Sequence, residues 1–225
     1  MASEEEWLEA LQDLPAWEPP ALPTVVIAPH PDDETLGAGG LIAAQIRRGV
    51  PVRVIAVTDG EAAFPDVTGL GELRRAEQEA ALAQLGVPAS DTIRLRLADG
   101  NVASAENAVA ESIEKLMDGP TVLAAPWVLD PHPDHEACGR AAARAAKTCG
   151  SPLVSYFFWT WHYKPIDSVL GLQLCRFMLE PHSRAARDAA LSEYRSQVTA
   201  VNGRVVLDSN ALRPARRCFE TFIVS

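Results

Sequence analysis

Apolar runs long enough to cross a bilayer, which takes about 20 residues, are missing from this sequence, so no transmembrane segment is expected. An excess of positive charge is missing as well: the formal net charge is −10. A chain of that sign repels nucleic-acid backbones and anionic membrane surfaces, so no nucleic-acid partner is expected. The four cysteines, Cys138, Cys149, Cys175 and Cys218, are far apart and form no C-x-x-C pair. That spacing argues against a zinc knuckle or a dithiol redox motif, and small buried hydrophobes in a reducing compartment are expected instead. The opening MASEEEWLEALQDLP lacks the basic and apolar regions of a secretory signal, so a cytoplasmic chain is expected. Internal repeats and low-complexity segments are absent.

What is present is the profile of an ordinary globular protein, with 48% hydrophobic and 22% charged residues. At 225 residues the chain can bury one sizeable core. Residues 3–14 place Trp7, Leu8, Leu11 and Leu14 on one helical face, and the prolines of PAWEPPALP then impose an extended connector. Residues 1–23 are therefore expected to be a helix and strap, and 24–225 a single domain.

From Thr24 the chain alternates. TVVIAP, VRVIAVTDG, TIRLRLADG and TVLAAPW read as strands, with TIRLRLADG half-exposed or at an edge. Helices are expected over 37–49, GELRRAEQEAALAQLG, 105–117 and 136–148. This order implies a Rossmann-like, doubly wound, mostly parallel sheet with helices on both faces. From about residue 151 the rhythm weakens. LVSYFFWTWHY, LCRFMLE and CFETFIVS read as strands, and HSRAARDAALSEYRSQ as a helix.

Three of the five histidines fall in two short clusters, Pro29-His30-Pro31-Asp32-Asp33-Glu34 and Asp130-Pro131-His132-Pro133-Asp134-His135-Glu136. Each follows a strand, and ligands in such sheets bind beyond the strands' carboxyl ends. Two imidazoles and a carboxylate, with a position left for water, make a hydrolytic zinc site, and a further carboxylate can move the water proton. Either cluster alone could be a polar turn at a helix start; two in equivalent positions are a strong signal. The spacing leaves open which carboxylate does what.

The clusters resemble those of the PIG-L/LmbE-like zinc-dependent N-deacetylases: PHPDDE near the start, HPDH about midway, and RRAEQEAALAQLGV between them. The likeness covers roughly 24–146 and is fainter at YRSQ. It implies His30, Asp33 and His135 as metal ligands and Asp32 as general base. It also implies His132 as an imidazolium steadying the oxyanion, oriented by Asp134. Arg74 and Asp99 are implied substrate contacts. Glu77 is expected to hold Arg74 by an i,i+3 pair, and Glu34 to stand behind the site. The implied cofactor is Zn2+, with Fe2+ or another divalent ion as alternatives, and the implied partner is an N-acyl amino sugar or glycoconjugate. An Fe(II) facial-triad oxygenase and a non-catalytic metal-bearing module are the competing readings. Trp159, Trp161, His162 and Tyr163 are expected to be core or cleft wall, and the Gly37–Gly40 run to serve close packing.

Overall fold

β-Branched residues at successive positions bury both faces of a strand, and side-chain alternation divides them between two cores. In the computed structural model, which describes residues 2–200 and 203–224, α1 (Glu4–Leu11) precedes β1 (Thr24–Ala28), α2 (Asp33–Arg47), β2 (Val52–Thr58) and α3 (Leu70–Leu85). Next come β3 (Thr92–Leu97), α4 (Glu106–Glu114), β4 (Val122–Pro126), α5 (Pro133–Cys149) and β5 (Leu153–Tyr156). The chain continues through α6 (Trp159–Tyr163), α7 (Asp167–Leu170), β6 (Leu174–Met178), α8 (Pro181–Leu191), α9 (Arg195–Val198) and β7 (Phe219–Val224). The ends of the expected 1–23 strap and 24–225 domain, and the last residue of CFETFIVS, lie outside the described residues.

The sheet order is β3-β2-β1-β4-β5-β7-β6. β1 to β5 are parallel, β7 runs antiparallel to β5, and β6 antiparallel to β7. This is the expected doubly wound class, with TIRLRL as an edge strand. The chain builds outward from β1 to β3, then crosses back to β4 on the other side of β1. A crevice opens where the order reverses, beyond the carboxyl ends of β1 and β4. Val26, Ala28, Val54 and Ala124 face α2 and α3, whereas Val25, Ile27, Ile55 and Leu123 face α4 and α5. The strap runs beside β6, where Trp17 N–H donates to Arg176 O at 2.8 Å and Arg176 N–H to Pro15 O at 2.9 Å.

α2 packs closely on the sheet because its glycines have no side chains. A Cβ on Gly37 would lie 2.2 Å from the Tyr156 ring. The helix breaks at Ala38 (φ −147°, ψ 17°), which frees N–H groups at the start of its second half. Glu220 of β7 accepts both, from Gly40 at 2.6 Å and Leu41 at 2.8 Å. Glu220→Ala should cost about 1–3 kcal/mol for each buried N–H left without an acceptor, read as a fall in urea midpoint.

Burial lifts the Glu220 carboxyl from 4.5 to about 7, against the pull of Arg187 and the two amides. The folded chain therefore holds this proton more tightly than the unfolded one. The group's contribution is full below its unfolded value and is lost as pH rises through about 7. The wild-type advantage over Glu220→Gln should thus shrink between about pH 5 and 8. An advantage that grows over that range contradicts the assignment.

Several local expectations need correction. α2 and α5 begin at Asp33 and Pro133, ahead of the expected starts at residues 37 and 136, so each polar cluster runs into the first turn of a helix. LVSYFFWTWHY is a strand only to Tyr156 and turns into α6, because Asp130 captures the N–H groups at the start of that helix. The expected helix over HSRAARDAALSEYRSQ is two helices, broken so that Tyr194 reaches Glu34. Cys138 and Cys175 are buried as expected, but Cys149 and Cys218 are exposed.

Candidate active site

Two strand ends supply the site. Proline stiffens both turns: Pro31 precedes α2, and Pro133 occupies the first turn of α5 behind its N-cap His132. Asp33 and Asp134 thus sit in first helical turns, where free N–H groups and the helix dipole favour carboxylates.

Asp33 Oδ2 lies between two imidazoles, 3.1 Å from His30 Nδ1 and 3.2 Å from His135 Nε2. It also accepts the His30 N–H at 2.9 Å. His135 Nε2 is buried and, despite that short approach, has no hydrogen-bond partner among the described residues. Such an orphan costs about 1–3 kcal/mol, and a cation shared with Asp33 and His30 removes the cost. The donor set therefore fits a divalent metal. Donor atoms of His30, His132 and His135 lie within 4.8 Å of one another, as do those of His30, Asp99 and Asp134, so either of these two further groups around His30 could also hold an ion.

The other nitrogen of His135, Nδ1, lies 2.8 Å from Asp130 Oδ2. Asp130 Oδ2 also accepts the Trp159 N–H at 3.2 Å, and Oδ1 accepts the Thr160 N–H at 2.7 Å and hydroxyl at 2.6 Å. One carboxylate thus fixes an imidazole and starts a helix. Burial disfavours charge on His135, yet Asp33 and Asp130 raise it to about 9.

Asp32 is buried and holds φ 135°, ψ −29°, a conformation unusual for any residue but glycine, without gaining a cap hydrogen bond from its side chain. Burial and the neighbouring Asp33 push its carboxyl well above the usual range, partly offset by Arg74 and His30. Burial would raise Asp33 too, but His135 and His30 hold it far below the usual range. Two adjacent carboxyls are driven in opposite directions, the pattern of a proton carrier beside a permanently charged ligand. Behind them Glu34 accepts the Tyr194 hydroxyl at 2.6 Å and the Gln78 amide at 3.0 Å.

A cavity of about 450 Å³ includes His30, Asp32, Asp33, Arg74, Asp99 and His132 in its lining, with Phe64, Trp159 and Leu207 among its walls. Six of the eight residues implied as ligands, catalytic groups or substrate contacts line it, and the buried Asp134 and His135 reach two of them, His30 at 3.3 Å and Asp33 at 3.2 Å. Asp99 Oδ1 is 3.2 Å from His30 Nε2. Arg74 donates to Gly60 O at 2.8 Å and to Gln197 Oε1, and Gln197 donates to Pro31 O at 2.5 Å. The expected Glu77–Arg74 pair is not formed. Glu77 instead accepts the Ser196 N–H at 2.7 Å and hydroxyl at 2.6 Å.

Asp134 meets His132, the residue it was expected to orient, through its backbone and not its carboxylate. That carboxylate is occupied by Gly100 N–H at 2.7 Å and Val102 N–H at 3.0 Å, and lies 3.3 Å from His30 Nε2. It is the Asp134 backbone N–H that donates to His132 Nδ1, at 3.3 Å. Burial, His30 and His135 lower the His132 pKa, so the neutral ring is favoured over the expected imidazolium. His132 stacks on Trp159 at 5.8 Å and 14°. Asp130 and Gln197 were not assigned roles from sequence; the only signals were the DPHPDH context and YRSQ.

Fold and site together define an α/β protein with a histidine–carboxylate centre, able to hold a metal, at the switch point of a mostly parallel sheet. Residues 25–146 match the family described as PIG-L, GlcNAc-PI de-N-acetylase, and the chain belongs to that family. It is 33% identical over 160 residues to a 1D-myo-inositol 2-acetamido-2-deoxy-alpha-D-glucopyranoside deacetylase of Mycobacterium sp. (strain KMS), covering 58% of this chain and 52% of that one. The chain thus spans about half the length of this curated relative. Among solved structures, the A40926 pseudoaglycone deacetylase Dbv21 is 26% identical, with TM-score 0.68 over 90% of this chain and 96% of that one. The N,N'-diacetylchitobiose deacetylase of Pyrococcus horikoshii shares the fold, at 19% identity and TM-score 0.67 over 100% of this chain and 94% of that one.

Proposed function

We propose that the chain is a zinc-dependent hydrolase that removes an N-acetyl, or longer N-acyl, group from an amino sugar or glycoconjugate. The observation that carries this reading is the orphaned His135 Nε2 facing Asp33 beside a buried, strained Asp32. His30, Asp33 and His135 would hold the ion, with Fe2+ or another divalent metal as alternatives to zinc. Bound there, a divalent cation lowers the pKa of a water toward about 7 and polarises the amide carbonyl.

Asp32 accepts the water proton as the water oxygen bonds to the acyl carbon. It returns that proton to the nitrogen as the C–N bond breaks, giving a carboxylic acid and an amine; the acid's own proton then passes to the amine, so the products leave as carboxylate and ammonium. His132 accepts the Asp134 N–H at Nδ1 and so keeps its own proton on Nε2, a tautomer assigned from the hydrogen-bond network. From Nε2 the neutral ring donates to the oxygen that gains charge. Asp134 serves by fixing the turn at Gly100 and Val102. Arg74 and Asp99 line the cavity where the sugar hydroxyls would sit.

In this reading residues 24–225 form one domain whose portion from about residue 151 shapes the substrate cavity, and 1–23 is a docked helix and strap. A cytoplasmic setting belongs to the same reading and accords with four free cysteines. No helix among the described residues is long and apolar enough to cross a membrane.

The test is release of acetate or fatty acid from a panel of N-acyl amino sugars, with and without chelator. Turnover should vanish on chelation and return with zinc. Undiminished turnover after complete metal removal refutes the mechanism.

A further inference from the structure

Asp32 carries a Cβ and holds φ 135°, ψ −29°, a conformation that persists only where the surroundings impose it. Two peptide groups set those angles, one on each side of its Cα. On the far side the Asp32 carbonyl accepts from Thr35 N–H at 2.9 Å and Leu36 N–H at 2.8 Å, in the first turn of α2. On the near side both ends of the Pro31–Asp32 peptide are held. Gln197 Nε2 donates to Pro31 O at 2.5 Å, and the Asp32 N–H donates to Glu34 Oε2 at 3.4 Å. The helix start fixes the second peptide group, so the orientation of the first is what makes φ positive.

Both holds on that peptide lead to one distant segment. Tyr194, the N-cap of α9, donates its hydroxyl to Glu34 Oε1 at 2.6 Å and meets the Thr35 hydroxyl at 3.0 Å. The Gln78 amide of α3 steadies Glu34 from the other side, at 3.0 Å from Oε2. Gln197, in the same short helix, reaches Pro31 directly, and its Oε1 accepts from Arg74. Ser196 pins the segment to α3 through its two bonds to Glu77, of 2.7 and 2.6 Å. Tyr194, Ser196 and Gln197 are buried and lie beyond the 25–146 family match. Apolar side chains would dock a helix without the desolvation that Gln197 and the Tyr194 hydroxyl incur, which only these partners offset.

We infer that Tyr194 and Gln197 are positioning residues for Asp32: from one segment they clamp the Pro31–Asp32 peptide at both ends and so aim the Asp32 carboxyl into the reaction cavity. The inference rests on the hydrolase reading above for the part Asp32 plays. Tyr194 acts through Glu34, and Gln197 acts on the peptide itself.

The test uses two variants of the full zinc-loaded chain. Tyr194→Phe removes only the hydroxyl. Gln197→Glu keeps an acceptor for Arg74 and removes the N–H that Pro31 accepts. Displacing a reacting group by about 1 Å costs up to about 10²-fold, so each variant should lower kcat on an N-acetylated amino sugar by about 10–100-fold, with KM close to wild type. Because both act through Asp32, neither should lower the residual kcat of Asp32→Gly by more than about twofold. In crystal structures of the two variants Asp32 should leave the positive-φ region. An unchanged kcat, a loss carried by KM, or losses that multiply in the Asp32→Gly background overturns the clamp, as does an Asp32 that stays at positive φ. If Gln197→Glu does not fold, Tyr194→Phe, which changes one hydroxyl, decides. If wild type hydrolyses no N-acyl sugar and yet Asp32 changes φ in the variants, the clamp stands and the hydrolase reading falls.

Discussion

Asp32→Gly is expected to lower turnover by about 10²–10⁴-fold, the usual worth of a positioned general base, while making the chain more stable. Asp32 holds φ 135° at the entry to α2 and gains no cap hydrogen bond from its side chain. Backbone strain of this kind costs about 1–3 kcal/mol in a residue with a Cβ, and glycine relieves it. The carboxyl is also buried beside Asp33, which raises its pKa, so its charge is a further burden on the fold. The side chain holds no cap hydrogen bond, whereas the proposed chemistry depends on it. Thermal melting and kcat on an N-acetylated amino sugar, measured on the same preparation, check both halves. A variant that is inactive because it has unfolded, or one that is less stable and still active, contradicts the assignment. Metal content should stay at the wild-type level, since Asp32 is not among the proposed ligands.

Asp130→Ala is expected to act on two properties at once. Its carboxylate lies 2.8 Å from His135 Nδ1 and accepts three hydrogen bonds from Trp159 and Thr160. Removing a carboxylate that orients a ligating imidazole typically costs 10–100-fold in metal affinity. Metal affinity should therefore drop by about that factor. The freed N–H and hydroxyl groups at the start of α6 add about 1–3 kcal/mol each where they stay buried, read as a lower urea midpoint. Trp159 and His132 are stacked, so loosening α6 also loosens this wall of the reaction cavity. Asp130→Asn separates the effects, because the amide oxygen still accepts from α6 while the imidazole loses a charged partner. It should keep most of the stability and lose metal affinity. Equal metal affinity in wild type and both variants contradicts the role given to Asp130.

The strands were legible because Val25, Val26 and Ile27 bury on both faces, a pattern that periodicity reads directly. The two polar clusters were legible for a related reason: His30 to Glu34 and Asp130 to Glu136 each carry their chemistry within a few adjacent residues. What stayed hidden depends on partners distant along the chain. α6 forms where its sequence reads as a strand because Asp130, about 30 residues earlier, accepts its first N–H groups. The second half of α2 is capped by Glu220, about 180 residues later. Gln197 ties Arg74 to Pro31 across more than 100 residues. Local reading also could not tell which part of Asp134 meets His132: its backbone N–H does, while its carboxylate accepts from Gly100 and Val102. The site's residue types could be read from the sequence, while the tautomer of His132 and the posture of Asp32 required the fold.

The most direct measurement strips the full chain of metal and returns zinc in steps, following acetate release from an N-acetylated amino sugar at each addition. Activity should start near zero, rise in proportion to zinc, and level off at about one ion per chain, with Asp33→Ala silent throughout. Full turnover before any metal is returned would contradict metal-dependent amide hydrolysis at the His30–Asp33–His135 centre.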